Sequence, residues 1–201
     1  MNYRTPIIFI ITLLSIGFIF KKNPANSEKN LLSRLVFHEA SGLDVTQLER
    51  EAIVWVIFNR LKSHSFGNSI TSIIFEKSQF SGVIEDKNWL KEKRPPQSKW
   101  ERSFNIKRVD AQEKNEFFKA QRAVETVLNK KQFHKDPTQG AVFFHSPRSR
   151  EYSDNECNRK DPLLKAPGWL CRELLKGTLE EVIIEGVTPN TFRFYRHIHS
   201  K

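Results

Sequence analysis

One glutamate in the segment LVFHEASG, Leu35 to Gly42, has a position that suits acid–base chemistry. Glu39 follows Leu35 by four residues and Val36 by three, which places it on the apolar face of a predicted helix. An ionised carboxylate there loses solvation, and the partial negative charge of the nearby helix C-terminus disfavours ionisation further. We therefore expect a raised pKa for Glu39. The alternative, from position alone, is that the helix ends there and Glu39 points into water.

Other chemistries are disfavoured by spacing. HEASG begins like the zinc signature H-E-x-x-H, but Gly42 occupies the position of the second histidine. His197 and His199 form HIH near the end of the chain, which is more typical of an exposed tail than of a metal site. The sequence has no G-x-S-x-G elbow, no phosphate-binding glycine loop and no dinucleotide fingerprint. We therefore expect no metal and no cofactor, and acid–base chemistry by a carboxylate remains.

Two cysteines, Cys157 and Cys171, lie in the C-terminal part of the chain. In an exported protein they could form a disulfide closing a loop of about 15 residues, worth roughly 3 kcal/mol in the chain-entropy model. A catalytic Cys/His pair is the alternative, but neither cysteine stands in a local pattern that activates a thiol. We expect the disulfide.

The N-terminus has the pattern of an export segment. Arg4 precedes an apolar run over residues 7–20, which is shorter than the roughly 20 residues of a spanning helix. The following KKNPANS is a poor cleavage site, so an uncleaved anchor is the alternative. We predict that residues 1–25 are a signal peptide or N-terminal membrane anchor. Residues 26–201 would then act in the periplasm, cell wall or extracellular space, either free or tethered to the inner membrane.

The chain is strongly basic. Lys and Arg outnumber Asp and Glu by 33 to 23 in 201 residues, which favours an anionic partner: nucleic acid, anionic lipid or acidic wall polymer. The export segment makes nucleic acid the least favoured of these. A highly charged insertion over about residues 85–110 is basic on balance and also contains Trp89, Trp100 and Phe104. These aromatic residues belong either to a solvated insertion or to a surface that stacks on sugars.

The elements that must position these residues are predicted helices in the first part of the chain and predicted strands near its end. The first helix begins with Ser27 as its cap, and the capping box TQLE at Thr46 begins a second that is apolar nearly all round. Asn59 follows that run, so we expect its amide to bond backbone or hold a loop. Residues 148–168 are predicted as a loop. The remaining predicted elements are helices over 70–76 and 111–129, a buried strand over 141–144, and two last strands in EEVIIEG and TFRFYR. This order predicts an α+β fold with a mostly helical core.

Several blocks together resemble a known family. They are LLSRLVFHEASG, AIVWVIFNRLKS, SIIFEKSQFSG, DPTQGAVFFHSP, APGW and FRFYR. Their order and approximate spacing are similar to those of the SleB-type cell wall hydrolases, the germination-specific lytic transglycosylase family, over about residues 31–196. The resemblance implies a lysozyme-like domain that cleaves the β-1,4 bond between N-acetylmuramic acid and N-acetylglucosamine in peptidoglycan strands.

The resemblance also implies roles for individual residues. The family's single catalytic glutamate matches Glu39, which would protonate the glycosidic oxygen. The muramyl C6 hydroxyl would then attack C1 and give a 1,6-anhydro end, so no second carboxylate is needed. The residues that would line the sugar groove are Gln79, Phe80 and Ser81, with His145 and Trp169 on its far wall. The alternatives are that Phe80 and Trp169 are core residues and that His145 only holds a loop.

Two further functions remain open. A hydrolytic muramidase on the same scaffold would use a second carboxylate, for which Asp44, Glu51 and Asp86 are available. A non-catalytic, basic wall-binding protein would account for the charge and the insertion. A nucleic-acid binder is the least favoured, because of the export segment and the lack of a recognition motif.

Overall fold

A computed structural model describes residues 24–42, 44–77, 79–80, 83, 96, 98–130, 135–149 and 153–198. Nearly all of the predicted export segment therefore lies outside the described residues, as do Ser81, Asp86 and Trp89. Within the described ranges, no helix is long and apolar enough to cross a membrane.

Helices occupy most of the described chain and the strands come late, so the predicted α+β class is confirmed. The helices are α1 (Pro24–Ala40), α2 (Gln47–Ser63), α3 (Ile70–Ile74), α4 (Lys99–Arg102), α5 (Ala111–Lys130), α6 (Glu156–Lys160) and α7 (Gly168–Leu175). The strands are β1 (Phe143–His145), β2 (Leu179–Val182) and β3 (Arg193–His197). Short 3-10 turns cover Ser103–Arg108 and Pro147–Ser149.

Helix α2 is the centre of the core, as its apolar run predicted. Its capping box is confirmed: the Thr46 hydroxyl accepts a hydrogen bond from the Glu49 N–H at 3.2 Å, and the Glu49 carboxylate accepts one from the Thr46 N–H at 2.7 Å. Helices α1 and α5 pack against α2 and against each other. The fully buried apolar side chains of α2 are Ala52, Ile53, Val54, Val56 and Ile57.

The three strands form an antiparallel sheet in the order β1-β3-β2. Phe194 of β3 is buried in the main core, together with Phe192 just before the strand. Tyr195 points the other way and is buried in a second cluster that includes Cys157 and Leu170. Strand β3 is therefore covered on both faces, which ties the second cluster to the helical core.

Several predicted boundaries are wrong. The strand predicted over 141–144 is Phe143–His145, and the helix predicted over 70–76 ends at Ile74. Helix α1 begins at Pro24 and not after Ser27, because proline is well suited to a first helical turn. The predicted loop over 148–168 contains α6, whose cap is Asn155: its side chain accepts a hydrogen bond from the Asn158 N–H at 3.0 Å.

Part of the basic insertion belongs to the core. Trp100 is fully buried, and its ring lies 5.9 Å from that of Phe75 and 5.6 Å from that of Phe104, in edge-to-face geometry. A buried indole cannot stack on a sugar, so that alternative is wrong for Trp100. Trp89 lies outside the described residues.

Candidate active site

Glu39 lies in the last turn of α1, where the sequence places it. Its side chain is 22% exposed, and its Oε1 lies 3.8 Å from Nε2 of the neighbouring His38. The carboxylate is therefore neither enclosed by apolar groups nor free in water. It stands at the edge of the helical core, where a ligand can reach it.

Arg60 of α2 is a buried cation on the same side of the core. The residue is 3% exposed, and its Nε donates to the Val142 carbonyl at 2.7 Å. The guanidinium carbon lies 4.9 Å from the ring centre of Phe66 and 5.1 Å from that of Phe80. Among the described residues, its Nη1 has no hydrogen-bond partner. Arg60 is thus held by one carbonyl and by aromatic faces, with donor capacity to spare.

The charge of Arg60 acts on two carboxylates. Burial lowers the pKa of Arg60 to about 10, while attraction to Glu76 and to Glu39 opposes that shift. Coulomb attraction is mutual, so the same cation acts on both carboxylates. The region around Arg60 therefore combines a partly exposed acid, a buried cation and a second, exposed acid.

Two residues predicted for the sugar groove lie near this cation. Phe80 is 7% exposed and its ring lies 6.3 Å from that of Phe144, so it packs in the core beneath Arg60. Gln79 is partly exposed, and its backbone N–H donates to the Glu76 carbonyl at 3.2 Å. Ser81 lies outside the described residues.

Trp169 is in the first turn of α7 with 38% of its surface exposed. Its ring lies 5.6 Å from that of Phe143, and the Phe143 ring centre lies 5.8 Å from the guanidinium carbon of Arg60. An exposed indole supported by a second ring is an arrangement that can stack on a sugar. The chain of ring contacts connects Trp169 to Arg60.

His145, at the end of β1, is buried and holds a loop. Its Nε2 is 2.8 Å from the Leu164 carbonyl, and its ring stacks on Tyr195 with 5.8 Å between ring centres. These contacts fix the turn before α7 to the sheet. His145 therefore has the contacts expected of the loop-holding alternative.

The amide of Asn59 holds a loop, as predicted. Its Nδ2 lies 2.9 Å from the Asp136 carboxylate, 2.9 Å from the Thr138 hydroxyl and 3.0 Å from the Ala141 carbonyl. The DPTQG turn is thereby fixed to α2, and the strand that follows it reaches Arg60 in a defined position.

Cys157 of α6 and Cys171 of α7 are joined by a disulfide, with their Cα atoms 5.6 Å apart. The Cys157 N–H also lies 3.2 Å from the Cys171 sulfur. The bond connects the two short helices of the second cluster, and it lies two residues after Trp169 in sequence. A catalytic role for either thiol is excluded by this bond.

Arg60 and Glu76 are two charged residues of this site for which the sequence predicted no role. The block AIVWVIFNRLKS contains Arg60, and SIIFEKSQFSG contains Glu76. An arginine two residues beyond an all-apolar run must bury its guanidinium or extend it to solvent. The N-R pair was therefore the available indication for Arg60, whereas nothing in the sequence indicates that Glu76 approaches it.

Comparison with known proteins identifies the family. A family model described as cell wall hydrolase matches residues 46–162, which is more than half of the chain and includes Arg60 and Phe80. Glu39 and Trp169 lie on either side of the matched range. No curated protein and no solved structure matches the chain. The match supports an enzyme that acts on peptidoglycan outside the cytoplasm. The chain belongs to the SleB-type cell wall hydrolases.

Proposed function

We propose that this protein is a peptidoglycan lytic transglycosylase with Glu39 as its general acid and base. It would cleave the β-1,4 bond between N-acetylmuramic acid and N-acetylglucosamine. The observation that carries the proposal is that a partly exposed carboxylate, Glu39, lies near enough to the buried cation Arg60 for their charges to attract. Family membership supplies the substrate class.

The reaction would begin with protonated Glu39 giving its proton to the glycosidic oxygen as the bond from that oxygen to C1 breaks. This leaves a carboxylate, which the nearby charge of Arg60 stabilises. The carboxylate then takes the proton of the muramyl C6 hydroxyl while that oxygen bonds to C1. The products are a 1,6-anhydromuramyl end and a free N-acetylglucosamine hydroxyl, and Glu39 is protonated again.

The proposed groove would pass between Glu39 and Trp169. Gln79 and Ser81 would offer hydrogen bonds to the sugar, and the exposed indole of Trp169 would stack on it. Phe80 would support Arg60 from below, given their contact in the core. We propose for His145 an indirect role, holding the turn that precedes the helix of Trp169.

A hydrolytic muramidase is a second candidate, and Glu76 is the observation in its favour. Glu76 and Glu39 both act on Arg60, so two carboxylates lie near one cation, and one could activate water. The carboxylates expected from the sequence are engaged elsewhere: Asp44 pairs with Arg148 at 3.2 Å, and Glu51 accepts from Gln47 at 3.2 Å. Asp86 lies outside the described residues.

We also propose that residues 1–25 export or anchor the chain and that residues 26–201 form the hydrolase domain. The apolar run over 7–20 supports this proposal, and so does the extracytoplasmic substrate of the family. Recovery of the tagged protein from periplasmic, membrane or secreted fractions, with N-terminal sequencing, would test both statements.

The decisive experiment is digestion of purified peptidoglycan with the full-length chain, with Glu39→Gln, and with Glu51→Gln as a matched control on α2. Released muropeptides are identified by mass spectrometry. We expect 1,6-anhydro ends from the parent and from the control and none from Glu39→Gln. Reducing muramic ends would establish the muramidase instead. No release by any of the three, with wall binding intact, would establish a non-catalytic wall-binding protein.

A further inference from the structure

A second groove lies on the other side of α2 from Arg60. Its volume is about 850 Å³, within the range of ligand-binding clefts. Phe58 and Lys62 of α2 line it, and each is two residues from Arg60, about 200° around the helix. Its opposite wall comes from the turn after α5 and from the end of β3. Neither Glu39 nor any residue proposed for the sugar groove lines this space.

The acids of this groove are already engaged. The Glu180 carboxylate accepts from Arg196 Nε at 2.6 Å. The Asp136 carboxylate accepts from the Thr138 N–H at 2.8 Å and from the Gly140 N–H at 2.9 Å. Arg196 therefore offsets the charge of Glu180, whereas Asp136 keeps its charge and is occupied by hydrogen bonds; among the described residues, the lining has three cations, Lys62, Lys135 and Arg196, against these two anions.

Two cations of the groove are available to a ligand. Lys62 and Lys135 are both exposed, and neither forms an ion pair within the described part of the chain. Trp55 and Phe58 add aromatic surface to the same lining. The groove thus presents positive charge beside apolar surface, which complements a flexible ligand with carboxylates.

We propose that this groove binds the acidic peptide stems of peptidoglycan. The choice of ligand rests on the proposed function, because the stems carry the carboxylates of the polymer that this enzyme acts on. A neutral sugar would leave Lys62 and Lys135 without anionic partners.

The test is calorimetric titration of the full-length chain with a synthetic tetrapeptide stem whose carboxylates are free, and with the same peptide amidated. The double variant Lys62→Gln/Lys135→Gln removes both groove cations. The matched control Lys107→Gln/Lys160→Gln removes the same charge from exposed positions elsewhere. We expect the parent and the control to bind the free-acid stem alike, and the groove variant about fivefold more weakly. Amidation should weaken binding to the parent and leave the groove variant unchanged.

Equal affinity of the parent and the groove variant, or no binding to either, would overturn the proposal. Cleavage of glycan strands stripped of their peptide stems tests the proposed glycan-cleaving function separately from stem binding in the groove. On these stripped strands, the parent and the groove variant should cleave at the same rate. Stem binding without glycan cleavage would refute the enzymatic proposal alone, and normal cleavage without stem binding would refute the groove proposal alone.

Discussion

The carboxylate of Glu39 on α1 and the guanidinium of Arg60 on α2 attract each other across the edge of the helical core. This attraction opposes the burial that lowers the pKa of Arg60 to about 10. The sequence predicts a raised pKa for Glu39 from its apolar helix face and the helix end, and that remains a prediction. The structure adds a positive charge, which favours the carboxylate that remains after proton donation.

The first prediction concerns the pH dependence of catalysis. Removing the charge in Arg60→Gln takes away an attraction that favours ionised Glu39, so Glu39 should lose its proton at higher pH. Because the general acid must be protonated, the alkaline limb of the kcat/KM profile should move up by about one pH unit. Turbidity assays on purified peptidoglycan across the pH range would measure the shift.

Arg60→Lys is the control for this prediction, because it keeps the charge and loses the planar contacts with the aromatic rings. Its alkaline limb should stay close to that of the parent even where its activity is lower. Melting temperatures of both variants separate an electrostatic effect from a folding defect. An identical pH profile for the parent and Arg60→Gln would show that Arg60 only packs.

The second prediction tests the proposed sugar contact of Trp169. Trp169→Ala should raise KM about fivefold with little change in kcat, because stacking acts on the bound strand before and during the reaction. The melting temperature should fall somewhat, since the indole is only 38% exposed and packs on Phe143, so KM and kcat are measured well below it. Leu175→Ala is a matched control, as Leu175 lies on the same helix and is 52% exposed. An unchanged KM in Trp169→Ala would remove Trp169 from the groove.

The features that could be predicted from sequence are those with a local cause. The capping box of Thr46 and Glu49 set the start of α2, and the apolar run after it set its burial. The loop-holding role of Asn59 followed from placing an amide beside an apolar run. In each case the sequence indication lies within a turn or two of the helix, although the loop that Asn59 binds is far away in the chain.

The features that were missed depend on residues far apart in the chain. Trp100 is surrounded by charges in sequence, yet it packs on the rings of Phe75 and His38 from distant segments, which no local pattern reveals. The approach of Glu76 to Arg60 has the same origin. Helix α6 was missed for another reason: it covers five residues, too few for a visible period, and its cap is the only strong indication.

The third prediction concerns the disulfide between Cys157 and Cys171. Replacing both by alanine should lower the free energy of unfolding by roughly 3 kcal/mol, as expected for a loop of about 15 residues. Alanine avoids burying a hydroxyl in the second cluster. Guanidinium denaturation measures the loss, and reductant should shift the parent's midpoint towards that of the variant while leaving the variant unchanged. A parent midpoint insensitive to reductant would contradict a structural bond.

The last prediction concerns stability in acid and rests on the buried carboxylate of Glu116 on α5. Burial would raise the pKa of Glu116, but the hydrogen bond from Lys119, at 2.8 Å, and the charge of buried Arg50 bring it below the ordinary 4.5. A carboxyl whose pKa is lowered by folding stabilises the fold above its unfolded pKa. This stabilisation is lost as pH falls from about 4.5 through the lower, folded value.

Glu116→Gln should therefore destabilise the protein by about 3 kcal/mol at neutral pH, because Arg50 is left buried without its counterion. The difference between parent and variant should shrink as pH falls below 4.5, because the parent's carboxyl binds a proton in the unfolded chain first and in the fold at lower pH. Glu125→Gln is the control, since Glu125 lies on the same helix and its pair with Lys29 is exposed. Denaturant midpoints measured at several pH values would test this. A difference that stays constant into acid would mean that Glu116 acts by packing alone, because a charge effect must disappear when the charge does.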